Sequence, residues 1–316
     1  MKKYYHLIGI VIFIIILTRI DFKKILSCYS EVNLAWLGLV NLIILPNLFA
    51  KAYRWRYLLC LQGITYPVGA SFAAYLGGIY TGLVTPGRIG EAMKAVYLKT
   101  EKGISLSEGM ASVIIDRLFD LYLLILLGSI GFLSFLGFKN NGYNVFVLFL
   151  LLFLLLIPLA LFNKPILEKT ARIVYKVAIS KIDKSLFDNQ FKNFLSAVKK
   201  IISGRILFAF ILTIFSHMFY FLQCYLLARL MSINISFVTL IFFISIATLL
   251  SMLPITIWGF GTREASLAYC FSMVGLSVES AVSYSFLLFT SFYLISGFFS
   301  FLGWVIKGHY GLRILT

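Results

Sequence analysis

The sequence predicts an all-α polytopic membrane protein, a helical bundle of six spanning helices plus two re-entrant broken helices, or eight transmembrane helices if those two segments cross. Three observations carry this reading. Of 316 residues, 61% are hydrophobic, 17% aromatic and 13% charged, a composition outside the range of soluble domains. Apolar runs near the roughly 20 residues needed to cross a bilayer recur along the whole chain. Finally, two distant stretches, Thr85 to Glu91 and Pro254 to Ala265, set proline, glycines, arginine and glutamate at the mouth of an apolar helix.

Spanning segments are predicted at 5–18, 33–50, 110–137, 144–162, 206–228 and 280–306. The first follows Lys2 and Lys3 like a signal peptide, but Arg19, Asp21, Lys23 and Lys24 come next with no small-residue cleavage site, so it reads as a retained helix. In the second, Asn41, Pro46 and Asn47 predict a kink. Lys51, Arg54 and Arg56 among aromatics read as its cytoplasmic interfacial anchor. The segment 68–85 is short and rich in small residues. Basic residues flank it on both sides, at 51–66 and 88–108, so a simple crossing would leave one of them outside; a re-entrant segment resolves the conflict. The same count makes 237–277 re-entrant from the opposite face. The chain is thus a single membrane domain, 1–316, with repeats 1–137 and 144–306 related by inversion.

The net charge is +16, and residues 163–205 alone hold ten of the 28 Lys and Arg against three acids. Helical spacing of Leu186, Phe191, Phe194, Val198 and Ile201 among lysines predicts a basic amphipathic cytoplasmic helix within that insertion. It either lies on lipid or packs on the protein's own surface. Anionic lipid accounts for such clusters beside membrane helices, so no nucleic acid is expected. By the positive-inside bias both termini are cytoplasmic. Cys28, Cys60, Cys224 and Cys270 have no metal-binding or redox spacing, and His217 alone makes no metal site. Neither a metal nor a cofactor is expected, and the chain has no nucleotide-binding loop or hydrolase motif.

Paired interrupted helices in corresponding halves point to a transporter's binding site. Pro86, Gly87 and Gly90, then Pro254, Gly259 and Gly261, form the predicted broken backbone. Arg88 and Arg263 stay charged in a low-dielectric site and can grip a phosphate in bidentate fashion. Glu91 and Glu264 either balance that charge or cap the following helix. Asp116, Arg117 and Asp120 lie in an apolar helix, with Asp116 and Asp120 on one side together with Ser112. Ionisable groups at such depth need partners, and Arg88 and Arg263 are the predicted partners of the acids. A structural ion network is the alternative. Thr213, His217, Tyr220 and Cys224 form a polar stripe read as helix packing.

These motifs, Pro86 to Glu91, Ser105 to Ser107, Asp116 to Asp120 and Pro254 to Glu264, with Arg54-Trp55-Arg56, resemble the flippase-like integral membrane family typified by the transmembrane region of lysylphosphatidylglycerol synthases. The resemblance covers essentially the whole chain. It departs at Asp116, where glutamate is more frequent, and at Trp258, where glycine is common. What it implies is movement of an anionic or lipid-linked substrate, an aminoacyl-phospholipid or a polyprenyl-linked glycan, between leaflets of a bacterial or archaeal cytoplasmic membrane. Some members carry a soluble transferase domain after this region; here the sequence stops at Thr316, so lysyltransferase activity is not expected and the chain reads as a transporter rather than an enzyme. Two alternatives stay open: a membrane-embedded transferase on a polyprenyl phosphate or phospholipid, and a non-catalytic subunit of a glycosyltransferase or synthase. A lipid-synthesis partner and homo-oligomerisation also stay open.

Overall fold

The computed structural model describes residues 32–136, 184–203, 206–252, 259 and 261–311. The spans expected at 5–18 and 144–162, the first part of the basic insertion, Cys28, Pro254 and Trp258 lie outside these residues. All regular structure among the described residues is helical. Four stretches are long and apolar enough to cross a membrane: Leu34–Leu61, Leu106–Phe135, Ile206–Leu230 and Val278–Lys307.

The first stretch is two helices, α1 (Leu34–Leu42) and α2 (Ile44–Leu61), broken at Ile43. Pro46 explains the break, because its ring clashes with the carbonyl four residues back, at Leu42. Asn33 caps α1 by accepting from the amides of Ala35 and Trp36. Around the kink the amides reach the neighbouring span. Asn47 donates to the Ser216 carbonyl at 2.7 Å and Gln223 donates to Asn41 at 3.2 Å, which satisfies polar groups that lipid could not.

After α2 the chain forms a hairpin. Helix α3 (Val68–Val84) runs in, a 3₁₀ turn (Pro86–Ala92) reverses direction, and α4 (Met93–Lys102) returns. Its two arms touch along their length through glycines: a Cβ on Gly78 would come within 2.6 Å of Lys94 Cγ, and one on Gly82 within 2.6 Å of Glu91 Cγ. At the base, the Tyr66 hydroxyl donates to Glu101 at 2.9 Å, so both arms end at the same level. Lys307, at the far end of the last span, donates to the same carboxylate at 2.6 Å. Burial first, and then the Glu101 carboxylate, push the Tyr66 phenol up, so it remains a donor there. The segment 68–85, expected to be re-entrant, is thus the incoming arm of a hairpin whose turn is Pro86–Ala92.

The next span, α5 (Leu106–Leu136), has 31 residues, about 46 Å of helix. Arg117, eleven residues into it, meets Glu91 of the hairpin turn. The turn thus reaches roughly 16 Å along α5 from its start. Helix α6 (Lys184–Ser203) follows and α7 (Ile206–Leu230) crosses again. Ala197, Val198 and Ile201 of α6 are buried against Leu58, Ala111 and Ala209, while Lys192, Lys199 and Lys200 face outward. Of the two readings of this amphipathic helix, its second half packs on the protein.

A second hairpin is formed by α8 (Phe237–Met252) and α9 (Thr262–Ser272). Phe243 and Phe271 meet at 6.3 Å across its arms, and Gly259, at φ 75°, brings the turn against Ser251. The final span is α10 (Val278–Phe289), a π-helical turn (Thr290–Ile295) and α11 (Ser296–Gly311). A Cβ on Gly303 would overlap Leu76, so α11 and α3 approach as small-residue membrane helices do.

The hairpins enter from opposite ends. The base of the first lies with Gln62, Glu101, Glu108 and Lys307. The base of the second lies in a core of Val40, Ile233, Leu240, Phe271 and Ala281, beside the far end of α5, where Phe135 packs on Phe243. The proposed copy 144–306 includes residues outside those described.

Candidate functional site

The centre of the bundle is an ion network that links α2, the first hairpin, α5 and α7. Arg54 on α2 is its hub. Its Nε donates to Asp116 Oδ1 at 2.9 Å, Nη1 donates to Asp120 Oδ1 at 2.7 Å and to Thr213 Oγ1 at 2.9 Å, and Nη2 donates to the Asp116 carbonyl at 3.0 Å. Lys94 of α4 donates to Asp116 Oδ2 at 3.2 Å and stands 3.6 Å from Glu91. Lys51 donates to Asp120 Oδ2 at 3.3 Å. Arg117 pairs with Glu91 and stands 4.0 Å from Asp120.

Helical spacing explains the convergence. Ser112, Asp116 and Asp120 recur every fourth residue and share the buried side of α5, with Ser112 accepting from Trp55 Nε1 at 3.0 Å. Lys51 and Arg54, three apart on α2, face that side. Arg54, Lys94 and Asp116 side chains have no exposure at all, whereas Lys51 and Arg117 retain 21% and 25%. Charges so far from solvent are tolerable only when each has a partner and its remaining hydrogen-bonding atoms are filled. Four cations, Lys51, Arg54, Lys94 and Arg117, stand against three carboxylates, Glu91, Asp116 and Asp120, which leaves an excess of one positive charge.

This corrects the sequence-based pairing. The acids of α5 are held by Arg54, Lys94 and Lys51, not by Arg88 and Arg263. Arg54 is likewise no interfacial anchor, because a single guanidinium that reaches three side chains and a carbonyl fits only at a helix crossing. Thr213, read as packing, is one of its acceptors. The signal available in the sequence was charge balance: two aspartates in an apolar helix demand cations on neighbouring apolar helices, and Lys51, Arg54 and Lys94 are set at helical spacing to supply them.

Arg88 sits exposed at the tip of the first hairpin with φ 56°, a left-handed conformation that favours glycine. Gly90 is packed against the Thr81 carbonyl, and its amide donates to Thr85 Oγ1 at 2.8 Å. In the second hairpin the Glu264 carboxylate accepts from the Gly261 amide at 2.7 Å, from Ser285 Oγ at 2.8 Å and from Arg263 at 2.6 Å. That is the helix-capping role foreseen for Glu264, and Gly261 at φ 83° permits it. Arg263 also donates to Ser285 at 2.7 Å and lies over the Phe289 ring at 5.4 Å. Glu91 opens no α-helix; it lies in the 3₁₀ turn and serves Arg117.

Tyr220 of α7 ties the second hairpin to the last span. It hydrogen-bonds Thr248 of α8 at 3.2 Å and packs on Phe292 of the π-helical turn at 4.9 Å. Among the described residues no cluster of three or more His, Cys, Asp or Glu is arranged to hold a metal ion. Cys224 and Cys270 are buried free thiols and Cys60 an exposed one.

Comparison with known proteins adds one match. The family described as the lysylphosphatidylglycerol synthase TM region matches residues 6–299. No curated protein matches the chain.

Proposed function

The chain belongs to the lysylphosphatidylglycerol synthase TM-region family, a membrane family linked to lipid handling, and on that premise we propose that it moves an anionic lipid or lipid-linked glycan between leaflets. What supports the reading is a pair of hairpins based at opposite ends, one with Arg88 in its turn and the other with Arg263 at the start of its second arm, beside an ion network with excess positive charge. A headgroup phosphate is the complement of such a site, and its acyl or prenyl tail would stay in lipid. In this reading the basic end of the bundle is cytoplasmic and the membrane is a bacterial or archaeal plasma membrane. Because the tips alternate in which end supports them, rocking of one hairpin at a time would expose the headgroup to one side and then the other.

The test is inter-leaflet movement in proteoliposomes, with fluorescent phosphatidylglycerol, its lysyl derivative and a polyprenyl-phosphate sugar. One of the three should move faster with protein than without. Arg88→Gly is the informative variant, because glycine adopts φ 56° without strain and only the guanidinium is lost. It should slow movement at least about tenfold, the scale of a charge-assisted hydrogen bond, and so should Arg263→Ala, at unchanged yield of folded protein. Unaltered movement in both would remove the anion grip.

The orientation has its own check. In a background without the four native cysteines, a maleimide should reach Gln190→Cys, on the exposed face of α6, from the cytoplasmic side alone. Labelling from outside would invert the topology.

A further inference from the structure

We infer that Glu91 is a built-in counter-anion: in the empty protein it occupies the place of the substrate phosphate, and a phosphodiester headgroup binds by displacing it from Arg117 and accepting a hydrogen bond from Tyr75. The inference rests on the anionic-substrate reading above and names the residues that meet the phosphate.

Tyr75 is the first observation. It lies on α3 with no exposure, its ring 4.4 Å from the Lys94 ammonium and 6.4 Å from Trp55. Its hydroxyl has no hydrogen-bond partner among the described residues, although Asp116, Arg117, Asp120 and Arg54 all lie within its electrostatic reach. A buried hydroxyl left unpaired forfeits its hydration without recompense, so a donor held idle against the ion network calls for an acceptor that arrives. Arg117 supplies a second idle donor, since its Nε is also buried and unpartnered. Both are donors, and a phosphoryl oxygen only accepts.

Glu91 is the carboxylate placed to yield. Asp116 and Asp120 are each held by Arg54 and by a lysine, Lys94 and Lys51 respectively, and Asp116 in addition offers its carbonyl to the same guanidinium. Glu91 Oε2 contacts Arg117 and stands 3.6 Å from Lys94, and neither Arg54 nor Lys51, which hold the aspartates, reaches it in an ion pair. It also sits in a 3₁₀ turn rather than in a long helix, and its partner Arg117 is one of the two network cations that keep exposed surface. The charges agree. Without Glu91 the four cations face two aspartates, an excess of two, and one phosphodiester restores the balance that Glu91 provides. Displacement would also release the turn that carries Arg88, so headgroup binding and hairpin movement would be one event.

The experiment measures binding by calorimetry to the purified full-length protein in detergent, with short-chain phosphatidylglycerol and with water-soluble glycerophosphoglycerol. Wild-type protein should bind at least the lipid. Glu91→Gln should bind about tenfold more tightly, since an amide competes for Arg117 without charge, and Tyr75→Phe about tenfold more weakly. Without ligand, Glu91→Gln should melt below wild type, and saturating lipid should raise its Tm more than it raises that of wild type, an outcome that a purely structural glutamate would not produce. Binding of both probes would place recognition in the diester itself, and binding of the lipid alone would add the chains; either supports the exchange. If wild type binds but Glu91→Gln binds no better, the counter-anion is overturned while the transport reading survives. If no protein binds either probe, both fall.

Discussion

Arg54→Ala is expected to cost about 3–5 kcal/mol, the loss measured when one member of a buried ion network is removed. Its guanidinium fills Asp116, Asp120 and Thr213 at once, and no water would replace it at a helix crossing with zero exposure. Lys94 and Lys51 would remain, but each reaches only one oxygen of one aspartate. Most of the protein should therefore fail to survive purification, and the remainder should melt well below wild type by tryptophan fluorescence in detergent. Arg54→Lys should rescue little, because an ammonium cannot span donors placed for a planar fork. The double change Arg54→Met, Asp116→Asn should recover part of the stability, since it keeps the excess at one positive charge and leaves Lys51 and Arg117 with Asp120 and Lys94 with Glu91. An Arg54→Ala protein as stable as wild type would show that the network does not hold the bundle together.

The second large effect is expected at Gly90→Ala. A Cβ there would penetrate the Thr81 carbonyl, which is backbone and cannot swing aside. The same spot is pinned by Thr81 Oγ1 donating to the Gly90 carbonyl at 2.6 Å and by Thr85 Oγ1 accepting from its amide. Relief must come from the turn itself, at a cost of about 1–3 kcal/mol, and Arg88 and Glu91 move with it. Lipid movement should drop at least about tenfold, with a modest loss of Tm, because α2, α5 and α7 are untouched. Gly38→Ala on α1 is the control: nothing lies within 4 Å of its Cβ position, so stability should change by no more than about 0.5 kcal/mol. Equal behaviour of the two variants would mean that the tip is not closely packed.

The parts of the site that could be read from the residues are those with local causes. Proline and glycine break helices whatever surrounds them, so both tips were visible. The i, i+4 spacing of Asp116 and Asp120 puts them on one side of any helix, and the basic amphipathic segment was visible because its period of 3.6 is intrinsic. Glu264 could be placed as a cap for the same reason. Arg54 was misread because a cation beside Trp55 and Tyr57 near a helix end has the local pattern of an interfacial anchor. The helix continues to Leu61, and Arg54 meets residues more than sixty positions away. Lys94 looked like one more positive charge in a basic stretch, yet it is buried between Tyr75 and Asp116.

Membrane residence, four of the spans and the break at Pro86–Ala92 followed from composition and local chemistry, since hydropathy and backbone geometry act residue by residue. Which cation answers which carboxylate did not, because several lysines and arginines are equivalent until helices cross. Burial selects among them: where α2, α4, α5 and α7 meet, water is excluded, an unpaired charge is intolerable, and only side chains at that crossing can pay the electrostatic debt. The placing of the two hairpin bases at opposite ends is likewise a property of the packed bundle.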